Sequence, residues 1–169
     1  MKLRELGIGV ITCVLVATLA VVWSSDTGAS RAPSVELTLL DGQKLQLDDL
    51  RGQPVMVTFW ATTCVGCQSE VPHLVELYEE FQPRGFEIIA VAMAYDPPAQ
   101  VYEFSKHREV PYRIALDLDN QVASAFGEVR LTPATFLVDG DGRIVYQVLG
   151  EFNTPQVHKL IEKLLHAQA

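Results

Sequence analysis

The stretch Val55-Met56-Val57-Thr58-Phe59-Trp60-Ala61-Thr62-Thr63-Cys64-Val65-Gly66-Cys67 carries the reading of this chain. Val55 to Trp60 is a continuous apolar run bounded by Pro54 and by the cysteine loop, the pattern of a fully buried strand. Two cysteines separated by two residues at the exit of such a strand can close a small disulfide and reopen it. That is the property of a redox catalyst rather than of a stapled scaffold.

Working outward, a helix is expected from Val65 to about Phe81, with Val71, Leu74, Val75, Tyr78 and Phe81 at three- and four-residue spacing. Gly85 ends it, and Phe86 to Met93 is a second buried strand. Pro97-Pro98 opens a helix reaching about His107. Tyr112–Leu116 reads as a short strand and Asn120–Phe126 as another helix. Two hairpins flank this body: Val35–Leu40 with Lys44–Leu47 around Asp41-Gly42, and Ala134–Val138 with Arg143–Val148 around Asp139–Gly142. Asp48–Gly52 is a turn or helical turn. Thr154 is expected to cap a last helix with Pro155 at its first position and a stripe of Val157, Leu160, Ile161, Leu164 and Leu165. Crossover helices with a mixed sheet give an α/β sandwich.

The 169 residues fit one domain of about 140 residues behind a separate N-terminal segment. The formal charge of −8 argues against nucleic acid, which needs a basic face. Lys2, Arg4, Glu5 and Asp26 cancel, so the acidity belongs to the domain. Lys2 and Arg4 precede the uncharged run Leu6–Trp23, which at about 1.5 Å per residue approaches the ~30 Å of a bilayer core. Residues 1–23 thus read as an uncleaved anchor, with a cleaved signal peptide as the competing reading, and the charge order puts the domain outside. Ser24–Pro33 reads as a flexible tether and 34–169 as the domain.

Three cysteines are too few for a disulfide framework or a four-thiolate zinc site. Cys13 lies in the apolar segment without the small preceding residue of a lipobox, leaving Cys64 and Cys67 as the thiols of the domain. Cys64 is placed at a helix N-terminus, where unpaired N–H groups favour a thiolate, and is the expected attacking thiol. Cys67, one turn on, is placed to resolve the mixed disulfide. Glu70 follows on roughly the same helical face. It is either the acceptor of the Cys67 proton or a solvated carboxylate near the helix start.

The segment Phe59–Cys67, together with Pro72 and the later Leu131-Thr132-Pro133-Ala134-Thr135-Phe136, resembles the thioredoxin superfamily and most closely its TlpA/ResA-type, membrane-tethered branch. Cytoplasmic thioredoxins look like W-C-G-P-C and carry a buried acid in the preceding strand. Here Thr63, Val65-Gly66 and Thr58 stand at those places, while Glu70 matches the acid three residues past the second cysteine in the ResA-type branch. The resemblance implies a three-layer α/β/α sandwich, a redox disulfide Cys64–Cys67, and a cis Thr132-Pro133 facing it. Thr132 and Pro133 are then expected to bind substrate. Trp60 is expected to shield the disulfide or pack a substrate, or else to be a core aromatic. Pro72 is expected to kink the helix. His73 stands beside it, His107, His158 and His166 read as surface residues, and Tyr95–Pro98 as a loop near the site's rim.

The function so implied is thiol–disulfide exchange, reducing disulfides of periplasmic proteins, with apocytochrome c or a copper-site assembly protein as candidate substrates. No cofactor or metal is expected. A membrane electron donor is implied, because an oxidising compartment cannot keep such a dithiol reduced. The protein is expected at a bacterial inner membrane, as a monomer. Two alternatives are a thiol peroxidase, whose P-x-x-x-T-x-x-C pattern has Val57 and Ala61 here instead of Pro and Thr, and a copper-binding chaperone.

Overall fold

The computed structural model describes residues 30–167. Seven strands form one mixed sheet in the order β2-β1-β5-β4-β3-β6-β7. Their spans are β1 Glu36–Leu39, β2 Lys44–Gln46, β3 Val55–Trp60, β4 Glu87–Ala92, β5 Arg113–Leu116, β6 Ala134–Val138 and β7 Ile144–Leu149. The helices are α1 Val65–Phe81, α2 Pro98–His107, α3 Gln121–Ala125 and α4 Thr154–His166. Short 3-10 turns cover Leu47–Leu50 and Gln82–Arg84. This is the α/β/α sandwich expected from the sequence.

β3 lies between parallel β4 and antiparallel β6, and all its residues are buried. The two parallel pairings, β3 with β4 and β4 with β5, are bridged by the crossover helices α1 and α2. Along β3, successive side chains go to opposite faces. Met56 and Trp60 join the core under α1, α2 and α4, with Leu74, Leu77, Phe81, Val101, Val157 and Ile161. Val55, Val57 and Phe59 join the core on the other face, with Leu37, Val122, Phe126 and Phe136. β7 is an edge strand with alternating half-buried and exposed residues, because only one of its faces is covered.

The Asp-Gly turns form as expected. In the first, Asp41 Oδ1 accepts from Gln43 N at 3.0 Å and Gly42 adopts φ +84°. In the second, Asp139 Oδ1 accepts from Asp141 N and Arg143 N, and a Cβ at Gly142 would run into the Arg51 guanidinium.

Several expectations need correction. The last helix is capped by Asn153, whose Oδ1 accepts from Gln156 N at 3.0 Å, and Thr154 is its first residue. Two good cap formers stand side by side there, and the one that reaches the third N–H ahead serves as cap. Its stripe is buried at Val157, Ile161 and Leu165 but only half-buried at Leu160 and Leu164. In α1 the buried face runs through Leu77, with Val75 and Tyr78 half-buried. Part of the supposed tether belongs to the domain: Arg31 bridges Arg143, Ile144 N donates to Ser30 O at 2.8 Å, and Ala32 is buried. Its polar composition hid the unpaired start of an edge strand that it covers. Residues 24–29 of the tether and the apolar run Leu6–Trp23 with Cys13 lie outside the described residues. Among the described residues no helix is long and apolar enough to cross a membrane.

Candidate redox site

β3 delivers the chain to the top of the sheet, and Ala61–Thr63 turns it into α1. Cys64 is the N-cap of α1, in extended conformation (φ −84°, ψ 109°), and its Sγ accepts from Cys67 N at 3.1 Å. The sulfur therefore occupies the position where a helix N-terminus stabilises negative charge. Cys64 and Cys67 are joined by a disulfide, with Cα atoms 5.2 Å apart. Cys64 is half-buried whereas Cys67 is buried, so an incoming disulfide meets Cys64 first.

The peptide Thr132-Pro133 is cis. The Pro133 ring lies against the cysteine motif: a Cβ on Gly66 would sit 3.5 Å from Pro133 Cδ and 3.1 Å from Glu151 Oε1. Glycine between the cysteines thus admits both neighbours closely. Pro133 O accepts from Gly150 N at 2.8 Å, which ties this loop to the end of β7. Val65, Leu131 and Tyr95 are exposed around Cys64 and Thr132.

Trp60 is placed differently from an exposed substrate contact. It is buried beneath the motif, its ring centroid 5.2 Å from that of Phe104, and Nε1 has no hydrogen-bond partner. Its position in β3 shares parity with Met56, which turns it into the core below α1.

That core contains a small cavity of about 10 Å³, one water's worth, lined by Cys67, Glu70, Thr58, Trp60, Tyr112 and Phe104 among others. Glu70 is only 3% exposed, and its Oε1 accepts from Phe152 N at 2.7 Å. It is therefore not a solvated carboxylate. Burial pushes its pKa up to about 7, the Phe152 N–H opposes this, and the nearby Glu151 charge adds to it. Tyr112 is held above the usual phenol range, first by burial and then by the Glu70 charge. A carboxyl that titrates near neutrality in the cavity of the inner cysteine is suited to take up and return its proton. At the thioredoxin-type acid position, Thr58 instead shares a buried hydrogen bond with Thr135, Oγ1 to Oγ1 at 3.0 Å.

Sequence reading missed Gln68 and Phe152, and it placed Asp96 only within the rim loop Tyr95–Pro98, without a role. Asp96 is buried and accepts from Thr62, Gln68 Nε2 donates to Thr62 O, and Phe152 supplies the N–H that holds Glu70. No local pattern marks any of them. Pro72 lies inside α1 on its exposed side. His73 faces solvent opposite Glu76, and His107 and His166 are exposed. His158 is not a free surface residue: it is half-buried, 2.9 Å from Glu80 Oε1, with its ring 4.7 Å from that of Phe81.

A family model described as Redoxin matches residues 27–164. The chain belongs to the redoxin family. In sequence the chain is similar to proteins named thiol-disulfide oxidoreductase ResA. One from Bacillus thuringiensis subsp. konkukian is 32% identical over 133 residues, spanning 79% of this chain and 76% of the relative. One from Bacillus subtilis (strain 168) is 35% identical over 129 residues, spanning 76% and 71%. Among solved structures, a thioredoxin described as putative from Neisseria meningitidis superposes with a TM-score of 0.75 at 27% identity, covering 82% of this chain and 92% of that one. This redoxin is a ResA-type thiol–disulfide oxidoreductase with a thioredoxin-like fold, and Cys64–Cys67 is its disulfide-capable pair.

Proposed function

We propose that this redoxin reduces disulfides of proteins outside the cytoplasm, held at the inner membrane by residues 1–23 and working as a monomer. The observation that carries the reductive direction is the Glu70 carboxyl in the cavity of Cys67. A strong oxidant owes its potential to a stabilised thiolate. A buried carboxylate beside the pair opposes thiolate charge, disfavours the reduced state and lowers the potential. The charge-free run Leu6–Trp23 behind Lys2 and Arg4 supports the location.

In this mechanism the Cys64 thiolate attacks one sulfur of the substrate disulfide, forming a mixed disulfide and releasing one substrate thiolate. Glu70 takes the proton of Cys67. The Cys67 thiolate then attacks Cys64 Sγ, closing the Cys64–Cys67 disulfide and releasing the second substrate thiolate. Two electrons pass to the substrate, and a membrane dithiol donor returns the enzyme to its reduced form. Pro133, against Gly66, and Thr132 before it form the wall along which the substrate backbone lies. Apocytochrome c and copper-site assembly proteins are the substrate classes the family kinship suggests.

The test is the equilibrium potential of the protein against glutathione, with partners trapped on Cys67→Ser. A potential near the ~−270 mV of a thioredoxin supports the reductive direction, and one near the ~−120 mV of a strong oxidant overturns it. Absence of any mixed disulfide through Cys64 overturns the mechanism.

A further inference from the structure

The loop between β4 and α2 holds a buried carboxylate that the exchange steps do not use. Asp96 is 4% exposed, and both its oxygens turn to one residue: Oδ2 accepts from Thr62 N and Oδ1 from Thr62 Oγ1, each at 2.6 Å. The Thr62 carbonyl accepts from Gln68 Nε2 at 2.7 Å. Gln68 follows Cys67 in the first turn of α1, and its own N–H donates to Cys64 O at 3.1 Å. All three polar groups of Thr62 are therefore held, two residues before the attacking sulfur. A buried carboxylate is costly unless donors meet it, and here both of its oxygens are spent on immobilising one loop residue. The same loop also reaches the other wall of the site, where Tyr95 Oη lies 3.5 Å from Thr132 Oγ1.

We propose that Asp96 is a positioning residue for thiol–disulfide exchange: by clamping Thr62 it sets the direction in which Cys64 Sγ meets a substrate disulfide. Sulfur displacement needs the attacking atom in line with the bond that breaks, so the loop that leads into Cys64 governs the rate. Asp96 touches no reacting atom and changes no electron count. The proposal rests on the exchange reaction alone, so an oxidising potential or a different location would leave it standing.

The experiment compares Asp96→Ala, Asp96→Asn and Thr62→Ala in the full chain. The probe is a synthetic octapeptide with an intramolecular disulfide, its reduction split into kcat and KM with dithiothreitol recycling the Cys64–Cys67 pair and its direct reaction with the peptide subtracted. Alongside, Cys64 alkylation by iodoacetamide is followed against pH, which reads the thiolate fraction without requiring in-line presentation. Asp96→Ala is expected to lower kcat/KM about ten- to a hundredfold, mostly in kcat, with the alkylation profile within about twofold of the parent. Asp96→Asn should stay within about threefold, because Oδ1 still accepts from Thr62 N while Nδ2 donates to a reversed Thr62 hydroxyl. Should Asp96→Ala fail to fold, Thr62→Ala carries the test, with an expected loss of roughly three- to tenfold. The proposal is overturned by an unchanged kcat/KM in the alanine variant that folds. It is overturned equally if Asp96→Asn is as slow as Asp96→Ala, or if alkylation slows in parallel with exchange, since the charge and not the clamp would then be at work.

Discussion

The two faces of β3 are built from one strand and have opposite characters. On the far side from α1, Phe59, Phe126 and Phe136 form a triangle with ring centroids 5.0 to 5.9 Å apart, and a buried carboxylate bordering that cluster, Asp117, is met on both oxygens by Val122 N and Ala123 N. On the α1 side the strand presents Thr58, and the neighbouring helices and strands add Glu70, Tyr112, Thr135 and a cavity beside Cys67. The first face is packed like a protein interior that only has to be stable. The second leaves polar groups buried where they cost free energy, and does so next to the reacting sulfur. Function occupies one side of the sheet while the other side holds the sheet in place.

The contrast breaks most visibly if the aromatic face is cut. Phe136→Ala is expected to remove about 3 to 5 kcal/mol of unfolding free energy, a large share of a domain's total. Denaturant titration measures that loss, and the Cys64–Cys67 potential of the folded fraction should stay unchanged. A shifted potential would mean the two faces are not separate.

The next effect is the pH dependence of stability. The folded pKa of Glu70, about 7, stands above its ordinary value of 4.5. The folded chain therefore holds the extra proton between those values, and stability from this group is complete below pH 4.5 and declines as pH rises through 7. The decline amounts to about 3 kcal/mol for the parent. Glu70→Gln, which keeps an oxygen for Phe152 N, should flatten that part of the curve in unfolding titrations at pH 5 and pH 8.

A smaller effect concerns the polar pair within the strand layer. Thr58→Val strands the Thr135 hydroxyl and should cost about 1 to 2 kcal/mol, while Thr58→Val with Thr135→Val should recover most of it. A double-mutant cycle on unfolding free energies reads this directly. Strict additivity would show that the 3.0 Å contact is energetically silent.

The same division explains what was legible in the sequence. β3, the helix after it and the Asp-Gly turns follow local rules of period and turn chemistry, and the strand and the helix have the bounds expected of them. The inward turn of Trp60 was also available, from its parity with Met56, but an unbroken apolar run masks parity. The polar face is another matter. Glu70 meets Phe152 across 82 positions and Thr62 meets Asp96 across 34, so only the folded loops bring them together. Glu70 could be singled out by its spacing from Cys67, yet whether it was solvated or buried depended on that distant loop. Thr154 was the expected cap, and the folded geometry gives that role to Asn153 one residue earlier.

The most direct test of the chemistry assigned to the polar face is the pH–rate profile of mixed-disulfide resolution by Cys67, in the parent and in Glu70→Gln. A single-turnover reaction with a disulfide peptide isolates that step. The expected result is an inflection near pH 7 in the parent that disappears in Glu70→Gln, with a rate about ten- to a hundredfold lower above it. An inflection that persists unchanged in Glu70→Gln, with no loss of rate, would contradict Glu70 as the acceptor of the Cys67 proton.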